Sequence, residues 1–226
     1  GVRGRNAGGV TVVERAKIVI GADGIHSLVA RAINPAAYDE VSALTCGYYS
    51  YFSGVPMDGA EFHVGYGVGV LAFPTNDGMV CIAVGRPIAA FEEYRSDYAA
   101  NFMQYLAQAS PDLAARVWAG QREERFTGTA DTANYFRKPY GPGWALVGDA
   151  GYHRDPVTGL GIADAFRDAE LLADAIDEGF TGRASLDDAL AGYERARNEI
   201  AKPLYEMTLK MAAFPSLEEL MAQMTA

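Results

Sequence analysis

Two neighbouring segments, residues 143–150 and 156–163, constrain the fold of this chain most, because together they predict a strand joined to a helix by a tight turn. Ala145–Val147 is a short apolar run between glycines, which is typical of a strand buried on both faces. Asp149 follows the closing glycine, Gly148, at the carboxyl end of this strand. Ligands of open α/β sheets collect at the carboxyl ends of strands, where a carboxylate accepts hydrogen bonds from sugar or ribityl hydroxyls. We therefore expect a ligand near Asp149.

The helix after this turn has a glycine-rich start. We predict Thr158 as its N-cap and Gly179 as its end. Gly159 and Gly161 are poor helix formers, so their place in the first turn favours a ligand that approaches the free N–H groups and the positive end of the helix dipole. A glycine-rich start that packs without any ligand is the alternative. The apolar positions recur at steps of three and four residues: Ile162, Phe166, Ala169, Ala173 and Ile176.

A second strand followed by an acidic turn lies at residues 16–31. Ile18–Ile20 predicts a buried strand, Asp23 and Gly24 form the turn after it, and a short helix then ends near Asn34. Taken alone, an Ala-Asp-Gly turn is weak evidence, and a purely structural turn explains it equally well. Its value comes from the pairing with the Gly-Asp turn.

Together, the two segments resemble the flavoprotein monooxygenase family, the group built like para-hydroxybenzoate hydroxylase. Its members carry an Asp-Gly motif, G-A-D-G-x-x-S-x-V-R, and a later Gly-Asp motif, G-D-A-x-H-x-x-x-P-x-x-G-x-G. The residues that match the first motif are Gly21, Ala22, Asp23, Gly24, Ser27 and Val29. The residues that match the second motif are Gly148, Asp149, Ala150, Pro156, Gly159 and Gly161. Arg31 is displaced by one position, and Asp168 matches an aspartate farther along the helix.

The resemblance implies FAD as the cofactor and NAD(P)H as the co-substrate. It implies that Asp149 binds the flavin ribityl chain and that Asp23 lies near the FAD pyrophosphate. The cofactor-binding residues that it implies are Asp23, Gly24, Gly148, Asp149, Pro156, Gly159, Leu160, Gly161 and Ile162. The chemistry it implies is hydroxylation through a flavin C4a-hydroperoxide, so the reactivity belongs to the flavin and no catalytic acid or base is nominated.

Three departures from the family pattern stand out. The histidine of the Gly-Asp motif, His153, comes one place late, and Ala163 replaces a common asparagine. No strand with a G-x-G-x-x-G turn for the FAD pyrophosphate precedes Gly21. We therefore expect the chain to be the C-terminal portion of a longer protein, with an incomplete FAD site that the N-terminal portion completes.

The predicted fold class is α/β plus α+β. We expect an incomplete Rossmann-like FAD-binding domain, formed by residues 1–43 and by residues 141–226 with the C-terminal helices, and an antiparallel-sheet substrate domain at residues 44–140. A sheet arranged as a meander is predicted from the strands at 45–52, 61–66, 70–74 and 79–85, and Asn76–Gly78 is a strong turn between the last two. Caps at Ser110, Ser185 and Ser216 predict three later helices.

Candidate substrate contacts lie in the predicted sheet. Strand alternation places Tyr49 and Tyr51 on one face, and His63 and Tyr66 are weaker candidates. Packing within the core or on the sheet surface is the alternative for these side chains. Arg154 is a candidate for a cofactor phosphate or a substrate carboxylate, and an exposed polar loop explains it equally well.

Composition excludes several classes of function. A net charge of -10 argues against nucleic-acid binding and against an anionic membrane surface. Cys46 and Cys81 lack both a disulfide framework and metal-ligand spacing, so we expect core thiols, a cytoplasmic protein and no metal site. The expected partner is a small-molecule substrate, and the sequence leaves the oligomeric state open.

The leading hypothesis is an NAD(P)H-using monooxygenase that hydroxylates a small aromatic or polyketide-like compound. An FAD-dependent reductase or halogenase is the first alternative. Halogenases of this kind usually carry a Trp-x-Trp-x-Ile-Pro segment, and neither Trp118 nor Trp144 lies in one. A non-catalytic binding module or truncated remnant is the alternative from another class.

Overall fold

The computed structural model describes residues 1–65 and 67–215. Its strands are β1 (Val2–Arg5), β2 (Thr11–Glu14), β3 (Val19–Gly21), β4 (Ala37–Val41), β5 (Thr45–Ser53), β6 (Glu61–Gly65), β7 (Val68–Pro74), β8 (Val80–Pro87), β9 (Gln121–Arg122), β10 (Thr127–Thr129), β11 (Asn134–Arg137), β12 (Tyr140–Gly141), β13 (Trp144–Leu146) and β14 (Tyr152–His153). Its helices are α1 (Leu28–Ile33), α2 (Phe91–Ser96), α3 (Tyr98–Ala109), α4 (Pro111–Ala119), α5 (Gly161–Thr181) and α6 (Leu186–Met211). Tyr66 and the helix predicted to begin at Ser216 lie outside the described residues.

The chain forms two compact units. The first contains residues 1–41, 134–154 and 159–205, and the second contains residues 42–133, 155–158 and the described residues from 206 onward. The predicted fold class, with helices beside antiparallel sheets in an FAD-binding-domain fold, is confirmed. The predicted domain bounds at 43/44 and 140/141 stay a prediction, and the compact units have other bounds.

The first unit is built around short strands and two long helices. β13 pairs in parallel with β3 and antiparallel with β12, while β11 lies between β4 and β14. The two strands predicted to be buried, β13 and β3, differ in solvent exposure. Ala145 and Leu146 on β13 are fully buried, but Ile20 on β3 is 45% exposed. Burial on both faces is therefore wrong for β3. The core packs β13 against the two helices, through Ala145, Val147, Leu172, Ala175, Leu190 and Tyr193.

The second unit is an antiparallel sheet covered on one face by helices. Its strand order is β10-β5-β8-β7-β6, with β9 also pairing with β5. β6, β7 and β8 form the predicted meander, but β5 pairs with β8 instead of β6, so the meander does not include β5. Asp77 and Gly78 have φ of 57° and 70°, which a primed hairpin turn needs, and the predicted turn is confirmed.

The predicted caps are correct for two helices and wrong for α5. Ser110 caps α4, and Ser185 caps α6 by accepting a hydrogen bond from Asp188 N at 3.1 Å, as predicted. The prediction for α5 is wrong at both ends, because Thr158 lies in a preceding 3₁₀ turn and the helix ends past Gly179. The end comes at Gly182, whose φ of 76° suits a left-handed helix cap.

None of the helices among the described residues is both long enough and apolar enough to cross a bilayer.

Candidate functional site

The two acidic turns of the sequence lie side by side in the first unit. β3 and β13 run in parallel with Ile20 opposite Ala145, and Val147 N donates a hydrogen bond to Gly21 O at 3.0 Å. The Asp-Gly and Gly-Asp turns therefore leave neighbouring strands at the same edge of the sheet. Polar groups at that edge of a parallel pair face a common space.

A cleft of about 430 Å³ opens at this edge. It is bounded by both turns and by the first turns of α5. Ile162 and Phe166, which the helical periodicity grouped with the apolar positions, are 76% and 74% exposed. The lining residues are Ala22, Gly24, Val147, Gly148, Asp149, Gly161, Ile162, Ala165, Phe166 and Ala169.

Asp149 is a half-buried carboxylate on the wall of this cleft. Burial raises its pKa, Asp164 raises it further, and nearby His153 acts in the opposite direction. Within residues 1–65 and 67–215, no hydrogen bond to either carboxylate oxygen is present. The carboxylate oxygens are therefore available to accept hydrogen bonds from a ligand that brings hydroxyl donors into the cleft.

The Gly-Asp turn is held from behind by side chains that are distant in sequence. The hydroxyl of Tyr135 donates to Asp149 O at 2.6 Å, and Arg137 Nη1 donates to Ala150 O at 2.8 Å. Arg197 Nη1 donates to Gly151 O at 3.3 Å. These contacts fix the carbonyl groups of three consecutive residues of the turn. Sequence reasoning missed this support, because no local motif marks the three residues.

Glycines give the cleft its open walls. Gly24 and Gly148 have φ of 75° and 58°, a backbone conformation that other residues rarely adopt. A Cβ atom at Gly24 or at Gly161 would meet no atom within 4 Å, so such an atom would project into free space. Free space beside backbone at the start of a helix is a cradle for a large ligand with anionic or electron-rich edges. These residues fit FAD.

The remaining predicted cofactor residues do not line the cleft. Asp23 accepts hydrogen bonds from Ser27 Oγ at 2.6 Å and from Leu28 N at 2.7 Å, so its carboxylate shapes the start of α1. Burial raises the pKa of Asp23, but these hydrogen bonds outweigh it and leave the pKa lowered. Gly159, with φ of 66°, and Leu160 lead directly into α5. Pro156 lies in the second unit.

A chain of buried ion pairs lies beneath the start of α5. Arg154 pairs with Asp164 at 2.7 Å, and Arg167 pairs with Asp164 and with Asp168, each at 2.7 Å. Burial raises the pKa of Asp168, although Arg167 opposes this shift. The exposed-loop interpretation of Arg154 is wrong, because its side chain is buried in this network. The pairs connect Arg154, which precedes α5, to the first two turns of this helix.

The candidate substrate residues lie on the second unit. Tyr49 and Tyr51 share a face of β5, as predicted, with ring centroids 6.1 Å apart. Tyr49 lines a mostly apolar cleft of about 230 Å³ on this sheet, together with Phe62. Tyr51 does not line it. His63 bonds to Glu61 Oε2 at 3.1 Å and lines a different cavity, of about 390 Å³.

Comparison with known proteins identifies the family. A family model for an FAD binding domain matches residues 2–208. The chain belongs to this FAD-binding domain family. The family membership expected from the Asp-Gly and Gly-Asp motifs is therefore confirmed, and so is FAD binding as the property of the family.

The curated relatives of this FAD-binding domain are reductases. The digeranylgeranylglycerophospholipid reductase of Methanosarcina acetivorans is 30% identical over 206 residues, which cover 86% of this chain and 48% of that enzyme. The enzyme of the same name from Methanosarcina mazei is 32% identical over 173 residues, covering 73% of this chain and 40% of the relative. The chain spans about half the length of the curated relatives it matches.

Solved structures share the fold. PqsL of Pseudomonas aeruginosa, described as a probable FAD-dependent monooxygenase, superimposes with a TM-score of 0.79 at 23% identity, covering 99% of this chain and 63% of that one. The myxobacterial chondrochloren halogenase CndH superimposes with a TM-score of 0.77 at 23% identity, covering 91% of this chain and 49% of that one. At such identities the likeness shows the fold alone.

Proposed function

We propose that the full-length protein is an FAD-dependent oxidoreductase. The leading candidate reaction is the NAD(P)H-dependent monooxygenation of a small, largely apolar organic compound. The observation that carries the proposal is the cleft at the ends of β3 and β13. Its wall holds the carboxylate of Asp149 without a hydrogen-bond partner among the described residues, beside glycines whose missing side chains leave room for a ligand.

Each part of this cleft would have a role in holding the cofactor. Asp149 would accept hydrogen bonds from the ribityl hydroxyls, and Gly24 and Gly161 would allow the ligand to lie against the backbone. The start of α5 would offer N–H groups and the positive end of its dipole to an electron-rich edge of the ligand. Bound FAD supplies the redox chemistry, which passes reducing equivalents from NAD(P)H to oxygen or to the organic substrate.

The face of the sheet that carries Tyr49 supports an apolar substrate. The cleft on this face is lined mainly by aliphatic and aromatic groups. Cys46 and Cys81 do not supply a nucleophile here, because burial raises the pKa of each thiol to about 11 and keeps it protonated at neutral pH. The chemistry of this surface is therefore binding and exclusion of water.

An FAD-dependent reductase is the second candidate. It is supported by the curated relatives, which are named as reductases of a digeranylgeranyl lipid, and by the apolar lining of the cleft. Several properties of the protein remain predictions from the sequence. They are the use of NAD(P)H, a cytoplasmic location, the contact of Tyr51 and His63 with substrate, and the lack of nucleic-acid or membrane partners.

The test uses the full-length protein, which we expect to purify yellow. Asp149→Ala removes the acceptor for the ribityl chain, and we expect FAD affinity to fall about tenfold or more, measured by titration of the apoprotein followed by flavin fluorescence. Asp174→Ala, a change at an exposed aspartate of α5, is the matched control and should leave the affinity unchanged. Full FAD affinity in the Asp149 variant would overturn the assigned role.

A further inference from the structure

Three glycines stand in a row across the middle of the sheet in the second unit. Gly85 on β8 lies directly opposite Gly47 on β5 and also directly opposite Gly69 on β7. Residues that are directly opposite in neighbouring strands point to the same face. The three missing side chains therefore leave a trough that runs across β5, β8 and β7.

The trough lies on the open face of the sheet. On β5 the alternating residues Cys46 and Phe52 belong to the core that packs against the helices. Gly47 and Tyr49 alternate with them, so they point to the opposite face. The apolar cleft that contains Tyr49 is on this open face, and all three glycines line it.

The ring of Phe214 fills part of this trough. A Cβ atom on Gly69 would overlap Phe214 Cε1, and a Cβ atom on Gly85 would lie 3.3 Å from Phe214 Cζ. The side chain is only 5% exposed. Glycine weakens the interior of a strand and often marks a site where another group approaches the backbone closely. Here that group is the Phe214 ring over two of the three positions.

Phe214 is held in an unusual backbone conformation. Its φ is 48°, in the left-handed region that a phenylalanine rarely adopts, and its N–H donates to Met211 O at 2.9 Å in the turn after α6. Residues in this region persist only where the surrounding structure holds them. At Phe214 the surrounding structure includes the walls of the trough around the ring and the hydrogen bond to Met211 O.

We propose that Phe214 determines the length of the apolar group that the cleft accepts. The ring occupies the trough over Gly69 and Gly85, so a substrate group extends only from Tyr49 to the ring edge. Without the ring, the trough lined by Gly69 and Gly85 continues the cleft and takes a longer alkyl or isoprenoid-like chain. This inference deepens the proposed function and rests on it for the identity of the cleft as the substrate site.

The test measures the affinity of the full-length protein for para-alkylphenols, from methyl to nonyl, by isothermal titration calorimetry. Affinity should rise about fourfold per added methylene until the tail reaches the ring, and then stop rising. Phe214→Gly suits the positive φ and removes the ring, so we expect the rise to continue for about three further methylenes. Phe180→Ala, which removes an exposed ring on α5, is the matched control and should keep the wild-type limit.

Two further variants decide the interpretation. Phe214→Leu should give an intermediate limit, and it keeps the experiment decisive if the glycine variant does not fold by circular dichroism. Adding Gly69→Val to Phe214→Gly refills the trough and should restore the wild-type limit. An unchanged tail-length limit in Phe214→Gly or in Phe214→Leu would overturn the proposal. Flavin content is measured in parallel. A protein that binds no FAD but shows the shifted tail-length limit would refute the proposed function and leave the role of Phe214 in the cleft intact.

Discussion

At the scale of single residues, the space around each glycine shows whether the protein's own packing or a ligand explains it. A Cβ atom on Gly21 would lie 2.7 Å from Leu146 Cδ2 and 2.9 Å from Val29 Cβ, so this glycine allows β3 to pack closely. A Cβ atom on Gly161 would meet nothing within 4 Å. The protein's own packing therefore explains the glycine at position 21. Neither packing nor a positive φ requires a glycine at position 161.

We predict that Gly161→Ala lowers FAD affinity and does not lower the stability of the protein without cofactor. Alanine is the better helix former by up to about 1 kcal/mol, so the free energy of unfolding of the apoprotein should rise slightly or stay the same. The added methyl group projects into the cleft and should weaken FAD binding several-fold. Urea unfolding and flavin titration measure the two effects separately.

Two other glycine variants serve as controls for that result. Gly192→Ala lies within α6, where a Cβ atom has room, and it should stabilise the protein without any change in FAD affinity. Gly21→Ala should cost about 1–3 kcal/mol of stability, because its methyl group overlaps packed side chains. A Gly161 variant that loses stability like the Gly21 variant, with unchanged affinity, would make Gly161 a packing residue.

At the scale of helices and strands, local chemistry predicted some boundaries and missed others. Ser110 and Ser185 were predictable because a serine hydroxyl satisfies the first N–H groups of a helix. The start of α5 was not, because Leu160 occupies the cap position and makes no side-chain hydrogen bond. Periodicity also grouped Ile162 and Phe166 with the apolar positions, but could not indicate that this part of the helix faces a cleft.

One ion pair joins a strand and a helix of the second unit. Arg116 on α4 donates to both carboxylate oxygens of Glu61 on β6, at 2.8 and 2.7 Å. The hydrogen bonds from Arg116, with a smaller contribution from His63, lower the pKa of Glu61 to about 2 even though burial opposes them. The paired carboxylate is therefore a pH-dependent link between two elements.

We predict that Glu61→Gln destabilises the protein by about 1–2 kcal/mol at neutral pH. Because the folded-state pKa is depressed, the stabilisation is fully present above the unfolded pKa of about 4.5 and is lost as the pH falls through about 2. The stability gap between the two proteins, measured by urea unfolding, should therefore narrow between about pH 5 and pH 2. Glu92→Gln, which breaks an exposed pair with Arg95, should change stability by less than about 0.5 kcal/mol. A gap that is constant with pH would contradict the assignment.

At the scale of the whole molecule, the sequence predicted which turns meet but not what holds them. The two acidic turns could be paired only because their motifs recur together in one family, and the parallel register of β3 and β13 agrees with that pairing. The support from Tyr135 and Arg197 is made by residues far apart in the chain, so no local pattern encodes it. Likewise β11, predicted to lie in the substrate domain, pairs with β4 and β14 of the first unit.

The reaction itself is a property of the whole enzyme, and its use of oxygen separates the two candidates. A monooxygenase transfers one atom of O₂ to the substrate and the other to water, whereas a reductase adds two hydrogens and needs no oxygen. We expect the full-length protein with NADPH or NADH and a para-alkylphenol to form, under ¹⁸O₂, a product that carries one ¹⁸O atom, and to form none under nitrogen.

Geraniol is tested beside the phenol, because it offers an isoprenoid double bond for reduction. If the protein saturates this double bond under nitrogen while it oxidises NAD(P)H, the assigned function becomes that of a reductase. Hydrogen peroxide that accounts for all NAD(P)H consumed in air, with neither product formed, would contradict monooxygenation. The Asp149→Ala variant reconstituted with less FAD should lose whichever activity appears in proportion to its flavin content, since both reactions require the same cofactor.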